Sequence, residues 1–433
     1  MLRRLVLISF LGLILIKPTY GQTLKEQINN MFQDVLTLEL SPGKHGEHFL
    51  PANVASSGAL INSLNNFIGV GVSSFPLSSS TAGVTFDFST GKPVQTSTSF
   101  GPIYSERAQT LGGGRINMGF NFTYIQFTRM RGIALNDLRL TFTHQDVGLP
   151  GLGDSPNEFD TIDLFMDMNI NASVMAVYFT YGITDRFDLG VAIPFTNVQI
   201  KSNPLAQINS FTWVSNDSAN HYFGGTRTEP ILTKHPTPIN DDATGIGDVA
   251  IRAKYNFVRE KAVDFAAMLE YRMNSGSAAN FLGAGFSSLR AELIGSKILG
   301  DFAPHVNLSY WKKFTDNDRD EIEGILGYDQ KIAEWFTLAI DFLGRYQLGN
   351  PIADMQFPSS VNTKRVVGST TYINTISLTN LPNYKNDNTI DAAFGFKFEV
   401  KESLLLMTNV FVPLNHTGLR ADIVPTVGME FGF

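Results

Sequence analysis

The chain has 433 residues with 33 Lys and Arg against 40 Asp and Glu, a formal net charge of −7, 17% charged residues and no Cys. The missing cysteines exclude a disulfide framework, a thiolate metal site and a Cys nucleophile, and the acidic balance argues against a nucleic-acid partner. A charged fraction well below a soluble protein's usual quarter, with 38 Gly, 34 Phe and 13 Tyr, points to an all-β chain rich in turns, of a size one large closed barrel can accommodate.

In chain order, Arg3 and Arg4 precede an apolar run from Leu5 to Ile16, and Thr19 to Gly21 supply small residues for cleavage. This predicts a signal peptide over 1–21 and a mature chain from Gln22, because the run is too short to span a bilayer. Its removal takes Arg3, Arg4 and Lys17 and no acid, moving the net charge from −7 to −10. Over 22–81, Leu24, Ile28, Met31, Phe32, Val35 and Leu36 share one face of a predicted helix, and Val54, Leu60, Ile61 and Leu64 line a second. The segment is either a plug entering a barrel, for which Ala55 to Ala59 are small enough, or a periplasmic piece at its mouth. His45 and His48 are the one close histidine pair, but Pro42, Gly43 and Gly46 place them in a loop, so no metal site is expected there.

From residue 82 the pattern is a two-residue alternation. Ile116, Met118, Phe120, Phe122 and Tyr124 oppose Asn117, Gly119, Asn121 and Thr123; Phe187, Leu189, Val191, Ile193 and Phe195 oppose Asp188, Gly190, Ala192 and Pro194; Pro425, Val427, Met429, Phe431 and Phe433 oppose Thr426, Gly428, Glu430 and Gly432. A soluble sheet puts Lys, Glu and Thr on its wet face, whereas bulky apolar outside and small or polar inside fits lipid outside and water within. Fourteen candidate strands follow: 82–90, 114–128, 135–144, 160–183, 187–199, 247–257, 263–273, 288–299, 303–313, 322–332, 335–347, 389–399, 403–413 and 421–433. Connections alternate between short ones, as at Asp185 and Arg186, and long ones, notably 91–113, 145–159, 200–246, 274–287 and 348–388. That places both barrel termini in the periplasm and the long loops outside. Strand 160–183 is over-long and its apolar phase changes, which a bulge near Asn171 or an extra hairpin outside the membrane would explain, and Phe67 to Ser74 offers one more strand, so sixteen is the second count. The fold class is therefore all-β: a transmembrane antiparallel barrel of about fourteen strands over 82–433, with a partly helical N-terminal segment. Tyr181, Trp335 and Phe336 stand where an aromatic girdle is expected.

The predicted luminal face carries Arg252, Lys254, Asp264, Glu270, Arg272, Arg290, Glu292, Asp341, Arg345, Asp391, Lys397, Glu399 and Glu430, with both signs interspersed. Such charges either pair across strands and fill a closed lumen or line a constriction. Phe431 and Phe433 form an alternating aromatic end of the type read by outer-membrane assembly machinery. His305 faces the lumen as a hydrogen-bonding group; no Gly-x-Ser-x-Gly elbow is present, and neither an enzyme nor a cofactor is expected.

The run Tyr181-Gly182-Ile183-Thr184-Asp185-Arg186-Phe187-Asp188-Leu189-Gly190-Val191-Ala192-Ile193-Pro194 resembles the hairpin of outer-membrane proteins of the MetA-pathway-of-phenol-degradation family. Thr244 to Val249 with Lys254 and Tyr255, Gly395-Phe396-Lys397, and Pro413-Leu414-Asn415 with Gly418-Leu419-Arg420 extend that resemblance over roughly 160–433. The family is similar in architecture to fatty acid and aromatic hydrocarbon channels with fourteen strands and an N-terminal hatch. The resemblance implies passive uptake of small hydrophobic or amphipathic solutes through the bacterial outer membrane; the alternative is a structural or partner-binding barrel with a sealed lumen. The partners expected are membrane lipid, the assembly machinery during biogenesis, and the solute.

Overall fold

The computed structural model describes residues 21–38, 49–51, 55–74, 76, 84–87, 92–95, 99–143, 159–210, 213–214, 217–259, 262–316, 318–350, 356–367, 369–401 and 404–432. Residues 1–20 of the expected signal peptide, the His45 and His48 pair, and Phe433 lie outside these residues.

Among the described residues, twelve antiparallel crossings close into a barrel. They are β1 (Arg115–Met130), β2 (Met168–Thr184), β3 (Phe187–Ser202), β4 (Ile239–Ile246 continued by Ala250–Val258), β5 (Asp264–Arg272), β6 (Ser288–Ser296), β7 (Phe302–Lys313), β8 (Glu321–Ala333), β9 (Phe336–Gln347), β10 (Thr389–Lys401), β11 (Leu404–Pro413) and β12 (Leu419–Ala421 continued by Val424–Gly432). The last strand returns to the first, with Thr426 opposite Thr123 and Gly432 opposite Asn117, so the wall has no free edge.

Burial follows the alternation. Leu326, Leu308 and Phe342 on the outer face are 62%, 57% and 50% exposed, while Glu270 and Asp341 on the inner face are 1% and 0% exposed. A belt of Leu, Ile, Phe and Tyr turned outward around a charged interior is stable only against hydrocarbon. The rings of Trp335, Phe336, Phe396 and Phe398 stack at the short-turn end, with Phe336 and Phe398 5.1 Å apart, forming part of the aromatic girdle.

Three predicted segments are placed differently. Of candidate 82–90 the described Val84–Asp87 does not form a crossing: it pairs with Lys92–Gln95, and with β1 at Ile116 and Arg115. Arg139–Thr143, from candidate 135–144, joins Thr161–Phe165, Leu205–Asn209 and Thr233–Lys234 in a four-stranded sheet above the long-loop end. The long run 160–183 divides at Asp167, whose φ of 40° turns the chain from that cap sheet into β2. Burial stays on the even-numbered positions from Ile162 through Ala172 to Tyr178, with no register shift at Asn171; the apolar residues change side because the even positions above pack into the core under the helices, whereas from Met175 the odd ones face lipid.

Both predicted helices form at the long-loop end. α1 (Leu24–Leu36) starts with a capping box, Glu26 N–H donating to Thr23 Oγ1 at 3.2 Å and Thr23 N–H to Glu26 Oε2 at 2.7 Å. Its buried face is Leu24, Ile28, Met31, Phe32, Val35 and Leu36. α2 (Ala55–Ser73) is helical through Phe67 to Ser73, where the additional strand was considered. Gly71 permits this, since a Cβ there would stand 2.8 Å from Leu419 of β12. The helices and the cap sheet share one apolar core that includes Phe32, Leu64, Phe67, Phe142, Ile162 and Ile208.

Asp34 fastens α1 to the loop before β4. Its carboxylate accepts from Lys234 Nζ at 2.7 Å and from Thr237 N–H at 3.1 Å. Burial pushes its pKa up, but Lys234 and Thr237 together outweigh burial and hold it below 3.8. A carboxyl depressed on folding contributes stability above its unfolded pKa and loses it as pH falls through the folded value. Hydrogen exchange in 24–36 is therefore expected to accelerate below pH 3.8 in the wild type, and an Asp34→Asn variant should show no such acid step.

Candidate functional site: the filled lumen

Eight strands enclose roughly the space their own side chains fill, and wider barrels leave a cavity. Here the surplus is occupied by the chain itself. Residues 99–114, expected within a long external loop (91–113), run instead through the lumen at its short-turn half and are fastened to successive wall strands.

Asp341 of β9 is the principal anchor. Its Oδ2 accepts from the N–H groups of Ile103, Tyr104 and Ser105 at 3.3, 2.9 and 3.3 Å, and its Oδ1 accepts from the Ser105 hydroxyl. Asn307 of β7 holds the next residue from both sides, accepting from Glu106 N–H at 2.8 Å and donating to Glu106 O at 3.0 Å. Lys254 of β4 pairs with Glu106 at 3.0 Å, and Arg107 pairs with Asp329 of β8, where Ser99 also donates. Farther along, Ala108 N–H donates to Ser296 at 2.9 Å, Gln109 to Asp264 at 2.7 Å and Leu111 N–H to Asp188 at 2.9 Å. Gly395 makes room for this strap, because a Cβ there would collide with Ile103.

A belt of alternating charge fills the other half. Arg252 and Arg272 flank Glu270 at 2.7 and 2.8 Å; Arg290 meets Glu292 at 3.1 Å and Glu323 at 2.6 Å; Arg345 closes on Glu323 at 2.6 Å. Arg345 also donates to Ser74 O at 2.9 Å, tying the end of α2 to the wall. Lys397 pairs with Glu430 at 2.8 Å and Arg420 with Asp391. Glu399 stands half-buried at the turn end of β10. Phe431 lies on the outer face of β12, its ring 6.5 Å from Phe120.

His305 has Nε2 3.2 Å from Asp341 and Nδ1 3.7 Å from Asp329, between the two carboxylates that hold the strap. Among the described residues no group of three His, Cys, Asp or Glu side chains is spaced to hold a metal ion. Sequence reasoning missed Glu323 and Asp329, although the alternation of β8 puts both inward with Glu321. It also missed Glu106 and Arg107, which carry no periodic signal.

A run of connected cavities lies at the long-loop half among the described residues. One of about 210 Å³ lies between α1, α2 and the loop 274–287. It shares Val70, Ala284 and Phe286 with one of about 30 Å³ beside Trp311 and Lys313. That cavity in turn shares Ser73, Asp248 and Arg272 with one of about 50 Å³ against Asn121 and Thr196. Asp248 folds the loop 274–287 inward by accepting from Gly276 and Ala284 N–H at 3.0 and 2.7 Å.

The outward apolar belt, closed wall and charged interior make this a bacterial outer-membrane β-barrel. No family model and no curated protein matches the sequence. Among solved structures, an outer membrane channel from Pseudomonas putida F1 is similar at 12% identity, covering 75% of this chain and 98% of its own, with a TM-score of 0.42. The NanC porin is similar at 8% identity, covering 60% and 94%, with a TM-score of 0.35. A Pseudomonas aeruginosa FadL homologue is similar at 10% identity, covering 73% and 90%, with a TM-score of 0.33.

Proposed function

We propose that the protein is an outer-membrane channel for small hydrophobic or amphipathic solutes, of the MetA-pathway-of-phenol-degradation type, held closed at rest by its own N-terminal part. The observation that carries this reading is the strap. A wall wider than its side chains can fill is occupied by residues 99–114, and they are held through polar contacts that water can replace, such as Lys254 to Glu106 and Asp341 to three amides. An apolar seal would give no such exchange, whereas a polar one can open into a hydrated lumen lined by Arg252, Lys254, Asp264, Glu270, Arg272, Arg290, Glu292, Asp341, Arg345, Asp391, Lys397, Glu399 and Glu430. Both charge signs are interspersed there. The domain division we propose is a leader over 1–21, a plug beginning at residue 22 and extended to 114, and the barrel wall thereafter. Phe431 and Phe433 would serve insertion by the assembly machinery.

One observation favours the second reading, a sealed barrel with no transport role: the belt from Arg252 to Arg345 closes on itself in ion pairs. Swelling of liposomes carrying the full chain separates the two. The full chain admits phenol, benzoate and short alkanoates slowly through brief openings and excludes a disaccharide, and the chain lacking residues 22–112 admits the small solutes freely; a sealed barrel admits none of them in either form, and that result would overturn the proposal.

A further inference from the structure

β2 and β3 are 17 and 16 residues long, whereas β5 and β6 have 9 each. A tilted strand crosses hydrocarbon in about 9–11 residues, so β2 and β3, joined by a short turn at one end, stand clear of it at the long-loop end. The outward face changes character at one height from β1 to β4. Its last apolar row is Phe122, Met175, Phe195 and Ile246, aligned by register and 44%, 41%, 38% and 46% exposed. The row above is Tyr124, Ser173, Asn197 and Thr244, and the next is Gln126, Asn171, Gln199 and Asp242. Asn169, Lys201 and Asn240 stand on top. By strand and residue spacing these three rows cover about 14 Å in each direction.

Most of these side chains are carboxamides, with one Lys and one Asp among them. Asn is depleted in strands, and Thr would serve better if the face met water alone. Asn169, Asn171, Asn197 and Asn240 are therefore placed here against local preference. The inner side of the same stretch is packed, with Ile125, Ile170, Val198 and Ile200 in the core beneath the helices, which fixes the register. The amides are held along the ladder. Asn171 Nδ2 donates to Asn169 Oδ1 at 2.9 Å, and Asn197 Nδ2 donates to Asp242 at 2.7 Å and to Thr244 at 2.8 Å. At the β1 edge a hollow of about 260 Å³ brings Arg129 and Asn136 beside Gln126 and Asn169.

A carboxamide presents an acceptor and two donors in one plane, which matches the neighbouring hydroxyls of a sugar ring. Height decides what lies beside the rows. Directly below them the same strands face acyl chains, so their neighbour is the headgroup layer of the outer leaflet. We infer that the β1–β4 face binds the sugar headgroup of an outer-leaflet glycolipid, through its carboxamides rather than through cations. Recognition of phosphate would call for Arg and Lys, and the rows carry Lys201 alone. The contact is independent of what the lumen passes.

Native mass spectrometry of the detergent-solubilised full chain tests it, with lipopolysaccharide bearing a complete core oligosaccharide and, separately, with lipid A, which lacks the core sugars. The core-bearing glycolipid is expected to bind at least about tenfold tighter than lipid A, as two or three hydrogen bonds would give. A variant carrying Gln126→Thr, Asn171→Thr and Gln199→Thr together should lose that preference and bind lipid A as the wild type does. Thr keeps polarity and strand preference, and a retained heat-modifiable gel shift reports that the variant barrel has closed. Equal affinity of the wild type for the two glycolipids would overturn the inference, as would an undiminished preference in the triple variant. A wild-type dimer that the triple variant turns into a monomer, with no sugar preference in either, would also overturn it and assign the face to a second copy of the chain.

Discussion

Replacing Asp341 with Ala is expected to release the luminal strap while the barrel stays closed. One carboxylate accepts from three consecutive amides and from the Ser105 hydroxyl, and lies beside His305. The residue is 0% exposed, so its loss strands several donors away from water rather than returning them to it. Hydrogen bonds to a charged group are worth about 1.5–3 kcal/mol each, and removing one member of a buried charged network costs about 3–5 kcal/mol in total. That loss falls on the strap and not on the wall, because β9 keeps its backbone ladders to β8 and β10 on either side. The amides of Ile103, Tyr104 and Ser105 should then exchange more than about 100-fold faster, at roughly 1.4 kcal/mol per tenfold, with the wall amides unchanged. Asp341→Asn, which keeps acceptor oxygen but not the charge, should give a smaller effect. Unchanged protection of the three amides in Asp341→Ala would remove Asp341 as the anchor.

The wall was legible because lipid imposes one rule on every strand. Phe187, Leu189 and Val191 against Asp188, Gly190 and Ala192 can be read without knowing what lies beside them. α1 was legible for the corresponding reason at the helical period, with Leu24, Ile28, Met31 and Phe32 falling on its buried side. The cap strand Arg139–Thr143 misled because a sheet packed on a soluble core alternates as a membrane strand does. What distinguishes it is the cap above the barrel, and no local pattern encodes that. Residues 99–114 were the least legible part. Ser99, Tyr104 and Arg107 find partners at Asp329, Asn409 and Asp329, more than 200 residues away. A segment shaped by contacts to nine different strands, β3 to β11, has no period of its own, so its polar composition reads as a loop. The inward charges were individually readable, but their pairing was not. Lys254 was identified as luminal, whereas its partner Glu106 is supplied by the strap.

The two ends of the lumen are closed by different means, and this shapes the larger of the two expected effects. At the outer end α1, α2 and the cap sheet form an apolar lid whose core includes Phe67, Phe142 and Leu164. Toward the turns, the strap is a polar seal carrying buried Glu106 and Arg107. The strap and the two helices of the lid come from the part of the chain before β1, so one deletion removes the strap and the helical half of the lid together, while the cap sheet, built from later segments, stays. Without residues 22–112, Lys254, Asp329 and Asp341 lose their strap partners and face a lumen that must fill with water. The wall ladders from β1 through β12 are untouched, and retention of the heat-modifiable gel shift reports that the barrel has closed. Such a barrel should conduct steadily, with little preference between cations and anions, as expected of an interior in which both charge signs are interspersed.

Planar-bilayer conductance of the full chain against the chain lacking residues 22–112 tests the central claim most directly: that the protein's own N-terminal segment closes a barrel otherwise wide enough to conduct. The full chain is expected to stay silent apart from brief openings, and the shortened chain to hold a sustained, weakly selective conductance. Equal conductance in the two, or a silent shortened chain that retains its gel shift, would contradict it.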